Sequence, residues 1–382
     1  MHKNKLVLFL AMLLVCSRVW ADVETTDKVV ISELSVEPGG KSAYFDVSLQ
    51  GSEVYYTAYE IDLYLPEGLN VEYRNGNPRV SMRKPSLYPY ITTEEENEEG
   101  EFVEVKQYTH MFDFAVNENN RLKAIALSTK NENFTSVSGA LFRVYVQASP
   151  YLKPGNADIK VSAKLVTADE VKHIPAEYIS TSVKVSSTST LGLKVSSTNQ
   201  FGTCILPFDY VLPADGLLKA YTCNNHTEDA LLLTSVTEKM KAYTPYILYS
   251  QNGFSATISG EVDASKYPEG GVVKQGFLVG TLVQKELTAS TSYVMQNQGN
   301  GPLFYRVGAT PFVLSAGKCY AELTEGSEAR AIHFDDDATG IFETENENLK
   351  SENQGTYDLS GRRVEKLKKG VYIVNGQKVV NW

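Results

Sequence analysis

The chain has 382 residues, a formal net charge of −10, 23 tyrosines, five histidines and four cysteines. The acidic balance excludes nucleic acid and an anionic membrane surface as partners, because both attract basic proteins. Tyr, Val, Thr and Ser are frequent and long Ala/Leu/Glu runs are missing, which fits an all-β chain of about two domains on a prior of ~150 residues each.

Met1 to Ala21 reads as a removable export signal. Lys3 and Lys5 give the basic start, Leu6 to Val15 is an apolar run too short to span a bilayer, and Val19-Trp20-Ala21 is a small-x-small cleavage site. A lipoprotein signal modified at Cys16 is the rival, but Val15 stands where a smaller residue is expected. The mature chain then starts at Asp22 and, having lost Lys3, Lys5 and Arg18, carries three positive charges fewer than the full −10, that is −13. It has no other apolar run of transmembrane length, so it is expected to be secreted or held on the outer cell surface.

Residues 22–187 are read as the first domain. Ala43, Phe45, Val47 and Leu49 alternate with polar neighbours, as do Tyr59, Ile61, Leu63 and Leu65. Phe142, Val144 and Val146, then Ile159, Val161, Ala163 and Leu165, repeat the pattern. Period-two alternation buries one face and wets the other, which predicts a sandwich of antiparallel sheets. Pro38-Gly39-Gly40, Pro66-Glu67-Gly68 and Pro154-Gly155 supply its turns.

Gly39-Gly40-Lys41 with Phe45-Asp46-Val47-Ser48-Leu49, and Tyr59-Glu60-Ile61-Asp62-Leu63-Tyr64-Leu65-Pro66-Glu67-Gly68-Leu69, resemble the opening of cohesin-type modules. Gly139-Ala140-Leu141-Phe142-Arg143-Val144 and Ile159-Lys160-Val161-Ser162-Ala163 resemble their closing half. The resemblance implies a jelly-roll sandwich related to carbohydrate-binding domains, in a family whose cellulosomal members bind dockerins. It supports the fold and names no ligand. Residues 94–104, carrying Glu94, Glu95, Glu96, Glu98, Glu99, Glu101 and Glu104, depart from the pattern. They read as a solvated loop or, alternatively, a calcium-binding one.

Ser186-Ser187-Thr188-Ser189-Thr190 reads as a polar linker, and residues 188–338 as a second all-β module of short strands between Gly, Pro and Asn turns. Its order resembles a β-module found before sorting tails in secreted bacterial surface proteins. Three cysteines outlast the signal: Cys204, Cys223 and Cys319. One disulfide and one buried thiol is the economical reading, and Cys204 with Cys223 is the favoured pair because they bracket one strand–turn–strand segment.

Asp335-Asp336-Asp337-Ala338-Thr339-Gly340 places Asp335, Asp337 and Thr339 at positions 1, 3 and 5 of an EF-hand-like calcium loop, with Asn346 where the closing Glu belongs. An acidic linker is the plainer reading. Residues 339–382 follow as linker and tail. Tyr357, Gly361-Arg362-Arg363-Val364, Lys369-Gly370-Val371-Tyr372-Ile373-Val374 and the hairpin signal Asn375-Gly376 predict a β-unit of two or three strands. This stretch resembles the C-terminal sorting domains of the type IX secretion route.

No motif anchors catalysis. The histidines lack metal-ligand spacing, there is no G-x-S-x-G elbow, and Glu37-Pro38-Gly39-Gly40-Lys41-Ser42 lacks the first Gly of a P-loop. The expectation is a non-enzymatic binding or adhesion protein whose partner is a protein or an extracellular glycan. Tyr55, Tyr56, Tyr88 and Tyr90 are candidates for a sugar platform. A hydrolase with dispersed carboxylates is the remaining alternative.

Overall fold

The computed structural model describes residues 23–82, 87–97, 100–117, 120–175, 180–226, 230–288, 291–298, 302–323 and 331–335, together with 356–358, 370–374 and 377–381. The export signal, Cys16 and the predicted cleavage site lie outside them. The chain forms two compact units, Met1–Phe334 and Asp335–Trp382.

The first half of the large unit is a sandwich. Its strands are β1 (Val23–Thr25), β2 (Lys28–Ile31), β3 (Leu34–Val36), β4 (Ala43–Gln50), β5 (Ala58–Tyr64), β6 (Leu69–Val71), the short pair β7 (Tyr73–Arg74) and β8 (Asn77–Pro78), and β9 (Val80–Met82). Then come β10 (Tyr90–Glu96), β11 (Phe102–Tyr108), β12 (His110–Val116), β13 (Arg121–Ser128), β14 (Ser138–Ala148), β15 (Gly155–Val166), β16 (Lys172–Pro175) and β17 (Ser180–Val185). One sheet runs β1-β16-β15-β5-β13-β12, with β17 on β15 and β3 on β17; the other runs β2-β4-β14-β6, with β9 on β14.

The alternation in the sequence is the alternation in the core. Phe45, Val47 and Leu49 from one sheet meet Tyr59, Ile61, Leu63, Ile159, Val161 and Leu165 from the other in one buried cluster. A bulge adds to it. The β14–β4 register slips between Ala140 and Phe142, so Leu141 and Phe142 are both fully buried where strict alternation would expose one.

The second half of the unit opens with β18 (Thr188–Val195), β19 (Phe201–Ile205), β20 (Tyr210–Val211), β21 (Lys219–His226), β22 (Ala230–Val236), β23 (Lys239–Met240), β24 (Pro245–Tyr249) and β25 (Phe254–Glu261). It continues with β26 (Val272–Gln275), β27 (Leu278–Thr281), β28 (Lys285–Leu287), β29 (Ser292–Asn297), β30 (Pro302–Arg306), β31 (Phe312–Leu314), β32 (Lys318–Glu322) and β33 (Ala331–Asp335). Ten of these form one sheet in the order β19-β24-β21-β22-β33-β30-β29-β32-β27-β26. The sheet curls back on itself: Ile205 N donates to Gly317 O at 3.1 Å, and Thr203 Oγ1 donates to Cys319 O at 3.2 Å, so β19 closes onto β32.

Strand pairing corrects two readings of the sequence. The run expected as a linker enters β18 at Thr188, and β18 pairs with β25 along its whole length. Ser189, Leu191, Leu193 and Val195 are buried, and the Ser189 hydroxyl donates to Pro150 O at 2.6 Å. Alternation continues through the serines and threonines, and polarity alone concealed it. The second correction concerns the disulfide. All three described cysteines are free and buried. Cys204 lies on β19, Cys223 on β21, and β24 stands between them. Two strand spacings put the pair roughly 10 Å apart, beyond the ~7 Å reach of a disulfide.

The small unit holds an antiparallel sheet of β34 (Thr356–Asp358), β35 (Gly370–Val374) and β36 (Gln377–Asn381). Val374 pairs with Gln377, which fits the hairpin expected at Asn375-Gly376, two residues that lie outside the described ones.

Candidate functional site

The outer face of the first sheet is a grid whose rows follow from strand register. Lys160, Tyr64 and Arg121 make the first row; Ser162, Asp62, Lys123 and Ala115 the second; Lys164, Glu60, Ile125 and Asp113 the third; Val166, Ala58, Leu127 and Met111 the fourth. The face is thus charged at one end and apolar at the other. Its charges neutralise one another. Arg121 grips Asp62 with two bonds, Nε–Oδ1 at 3.0 Å and Nη2–Oδ2 at 2.7 Å, which raises the guanidinium pKa. Burial opposes ionisation of Glu60, but Lys123 at 2.7 Å and Lys164 at 3.7 Å hold its carboxyl below the usual range.

Beside this face stands an arm. Strands β10 and β11 pair only with each other, from Tyr90↔Tyr108 to Glu96↔Phe102, and β12 follows after the single residue Thr109. Residues 94–96 and 102–104 of the acidic segment therefore belong to paired strands, where the sequence reading was a solvated loop. The arm's strands, with Ile91, Thr92 and Thr93 on one and Phe102, Val103 and Val105 on the other, carry enough β-favouring residues to pair in spite of the glutamates, and Glu94 sits directly opposite Glu104. Among the described residues, five of the thirteen exposed large hydrophobics fall in this arm and the start of β12: Tyr90, Ile91, Phe102, Val103 and Met111. Phe102 is the most open, at 71 %. Among the described residues, no group of three or more His, Cys, Asp or Glu is placed to hold a metal ion.

The tyrosine platform is corrected. Tyr56 and Tyr88 are fully buried. The Tyr56 hydroxyl donates to Asp27 Oδ2 at 2.7 Å, and the Tyr88 hydroxyl donates to Leu141 O at 2.9 Å, so both are core residues with satisfied polar ends. Tyr55 and Tyr90 are exposed, but Tyr55 lies in the loop before β5 and Tyr90 opens β10. Several outward rings already carry a cation on one face. Arg143 sits 3.7 Å from the Tyr44 centroid, Arg79 3.8 Å from Tyr145, and Lys106 Nζ 4.3 Å from Tyr90. Arg143 is fixed there by two bonds to Asp46, at 2.8 and 2.9 Å. A sugar stacking on those faces would have to displace a guanidinium or ammonium group.

The remaining candidates are scattered. His110 is buried, stacked on Phe134 at 4.7 Å. His173 meets the edge of Tyr56, and His226 that of Phe277. Asp335 is the last residue of β33, whereas Asp337 and Thr339 lie outside the described residues. The exposed hydrophobic arm escaped the sequence reading because its glutamates dominated the composition; the alternation of Ile91, Thr93 and Val103, Val105 was the available signal.

No family model matches the chain, and no curated protein matches it. Solved structures similar to it include a non-cellulosomal cohesin from Archaeoglobus fulgidus, at 14 % identity over 42 % of this chain and 91 % of that one, with a TM-score of 0.28. A cohesin module from a Clostridium perfringens family 33 glycoside hydrolase matches at 11 % identity over 43 % of this chain and 97 % of that one, with a TM-score of 0.29. The cohesin CaCohA2 from Clostridium acetobutylicum matches at 12 % identity over 42 % and 92 %, with a TM-score of 0.30.

Proposed function

We propose that this is a secreted, non-enzymatic protein-binding module that engages its partner through the β10–β11 arm and the apolar end of the adjoining sheet face. The carrying observation is the concentration of exposed apolar side chains on an arm that pairs with no other strand. Exposed apolar side chains gathered in one element mark an interaction site; the register sets Tyr90 and Phe102 on one face of the arm and Ile91 and Val103 on the other, so the partner clasps the arm from both sides, and an isolated two-stranded hairpin gains stability when a partner covers it. Glu94, Glu95, Glu96, Glu101 and Glu104 on the arm favour a basic partner surface. The cations already seated on Tyr44, Tyr90 and Tyr145 favour protein over glycan as the ligand of these faces. The export reading rests on the pattern of Met1–Ala21 and on the sorting-tail resemblance of residues 357–380. Among the described residues, no helix is long and apolar enough to cross a membrane.

The test is a photoreactive amino acid at position 102 of the full chain, in its native cell envelope, beside a control at Tyr73. Adduct formation with one protein at position 102, absent at position 73 and lost on adding Ile91→Thr and Val103→Thr, is the expected result. Equal labelling at both positions, or none at 102, would overturn the proposal.

A further inference from the structure

The two halves of the large unit enclose a cleft of about 1180 Å³, lined on one side by residues 65–70 and 149–157 and on the other by residues 267–271, 282–286 and 313–316. Its floor is apolar, with Leu152 and Leu282 both buried. Its rim is polar: Glu67 and Asn156 stand on the sandwich side, Gln284 and Glu286 on the other, all exposed. Two tyrosines, Tyr151 and Tyr267, line the wall; Tyr267 is half-buried.

The Tyr267 ring is held in place. Its hydroxyl donates to Tyr151 O at 2.7 Å, and Tyr243 packs edge-on against it at 6.0 Å. Its cation stands farther off than those on Tyr44, Tyr145 and Tyr90. Lys153 Nζ is 5.8 Å from the centroid, at the outer limit of a cation–π contact. The cleft therefore offers a fixed ring, an apolar floor, and amide and carboxylate groups along the rim. A pyranose presents the same division, with C–H faces for the ring and floor and hydroxyls for the rim. Pockets that bind small ligands combine mostly apolar walls with a few placed polar groups in this way.

We infer that this cleft binds a neutral oligosaccharide. Glu67, Glu269 and Glu286 against Lys153, the single cation of the lining among the described residues, make it acidic, so glycans bearing carboxylates or sulfates are rejected. The volume lies a little above the ~300–1,000 Å³ of ordinary ligand sites, which suits an oligosaccharide better than a single sugar. The site would be separate from the arm, so the molecule could hold a protein and a glycan together.

The experiment is titration calorimetry on the full mature chain with soluble β-glucan, xylan, mannan and chitin oligosaccharides, and with oligogalacturonate as the acidic control. The expected result is saturable binding of at least one neutral oligosaccharide and none of oligogalacturonate. The double variant Asn156→Ala/Gln284→Ala should weaken that binding at least tenfold with an unchanged melting temperature, because both side chains are exposed. Arm substitutions at Ile91 and Val103 should leave it unaltered. Absence of binding by all four neutral probes, tighter binding of oligogalacturonate, or full binding by the double variant would each overturn the assignment.

Discussion

Tyr151 occupies the space that a side chain on Gly317 would need: a Cβ built on Gly317 would fall 1.9 Å from the Tyr151 hydroxyl oxygen. Gly317 also has φ of 79°, in the region that favours glycine. The residue before β32 thus lacks a side chain so that a tyrosine from the sandwich can enter the second half of the unit. There it packs with the small cluster of Ile205, Leu282 and Cys319, and burial raises its hydroxyl pKa. A matching close approach stands nearby, where a Cβ on Gly39 would fall 1.7 Å from Thr190 O.

The two halves should accordingly unfold together. Scanning calorimetry of residues 22–339 is expected to give one endotherm. Tyr151→Ala should remove about 3–5 kcal/mol, as other large-to-small aromatic changes do, and separate the trace into two transitions. Gly317→Ala should cost about 1–3 kcal/mol through overpacking and backbone strain. Two well-resolved endotherms in the unmodified protein would show the halves to be independent.

The thiols should be inert in the native state. Burial pushes Cys204 and Cys223 up to about 12, and Cys319 well above the ordinary thiol value. The thiolate is the reactive species, so an alkylating reagent at pH 8 should label none of the three until denaturant is added. Mass spectrometry of unreduced, secreted protein should then find all three modified. A Cys204–Cys223 cross-linked peptide would contradict the β19-β24-β21 strand order.

Acid should weaken the sandwich through His110. Burial lowers its pKa below the ordinary 6.5, although the Thr57 backbone and the charge of Glu132 act the other way. A group whose folded pKa is depressed binds its proton more readily in the unfolded chain. The stability it allows is therefore complete above pH 6.5 and is lost as pH falls toward the folded value. Urea midpoints should decline between pH 7.5 and 5, and His110→Phe, which keeps the stacking on Phe134, should flatten that slope. An unchanged slope in the variant would assign the pH dependence to other groups.

The arm should contribute to binding and little to folding. Ile91→Thr, Phe102→Ser and Val103→Thr are expected to leave stability within about 0.5 kcal/mol each, since exposed side chains rarely contribute more. Complex formation should fall, and raising salt from 0.05 to about 0.5 M should weaken what remains, because exposed glutamates are screened within a few ångströms at that strength. A drop in melting temperature equal to that of a core substitution would instead show the arm to be packed.

Truncation after Thr339 should leave the melting of the large unit within about 2 °C, because it spares β33 and removes only the sheet of the small unit. Surface display in the native host should be lost. Intact export by the truncated chain would dispose of the sorting reading of the tail.

Period-two alternation was enough to mark Phe45, Val47, Leu49, Ile61, Leu63 and Val161 as core residues, because a strand with one buried face writes that face into every second residue. The Val374–Gln377 register of the tail was legible for the same reason, from two apolar runs around Asn375-Gly376. What depends on which strand lies beside which was not legible. The separation of Cys204 from Cys223 requires knowing that β24 lies between their strands, and burial of Tyr56 and Tyr88 requires knowing that Asp27 and Leu141 wait for their hydroxyls. Local sequence sets the side to which each residue points. Only long-range pairing decides what it meets there, and the arm, the cleft and the fit of Tyr151 against Gly317 all arise from such pairing.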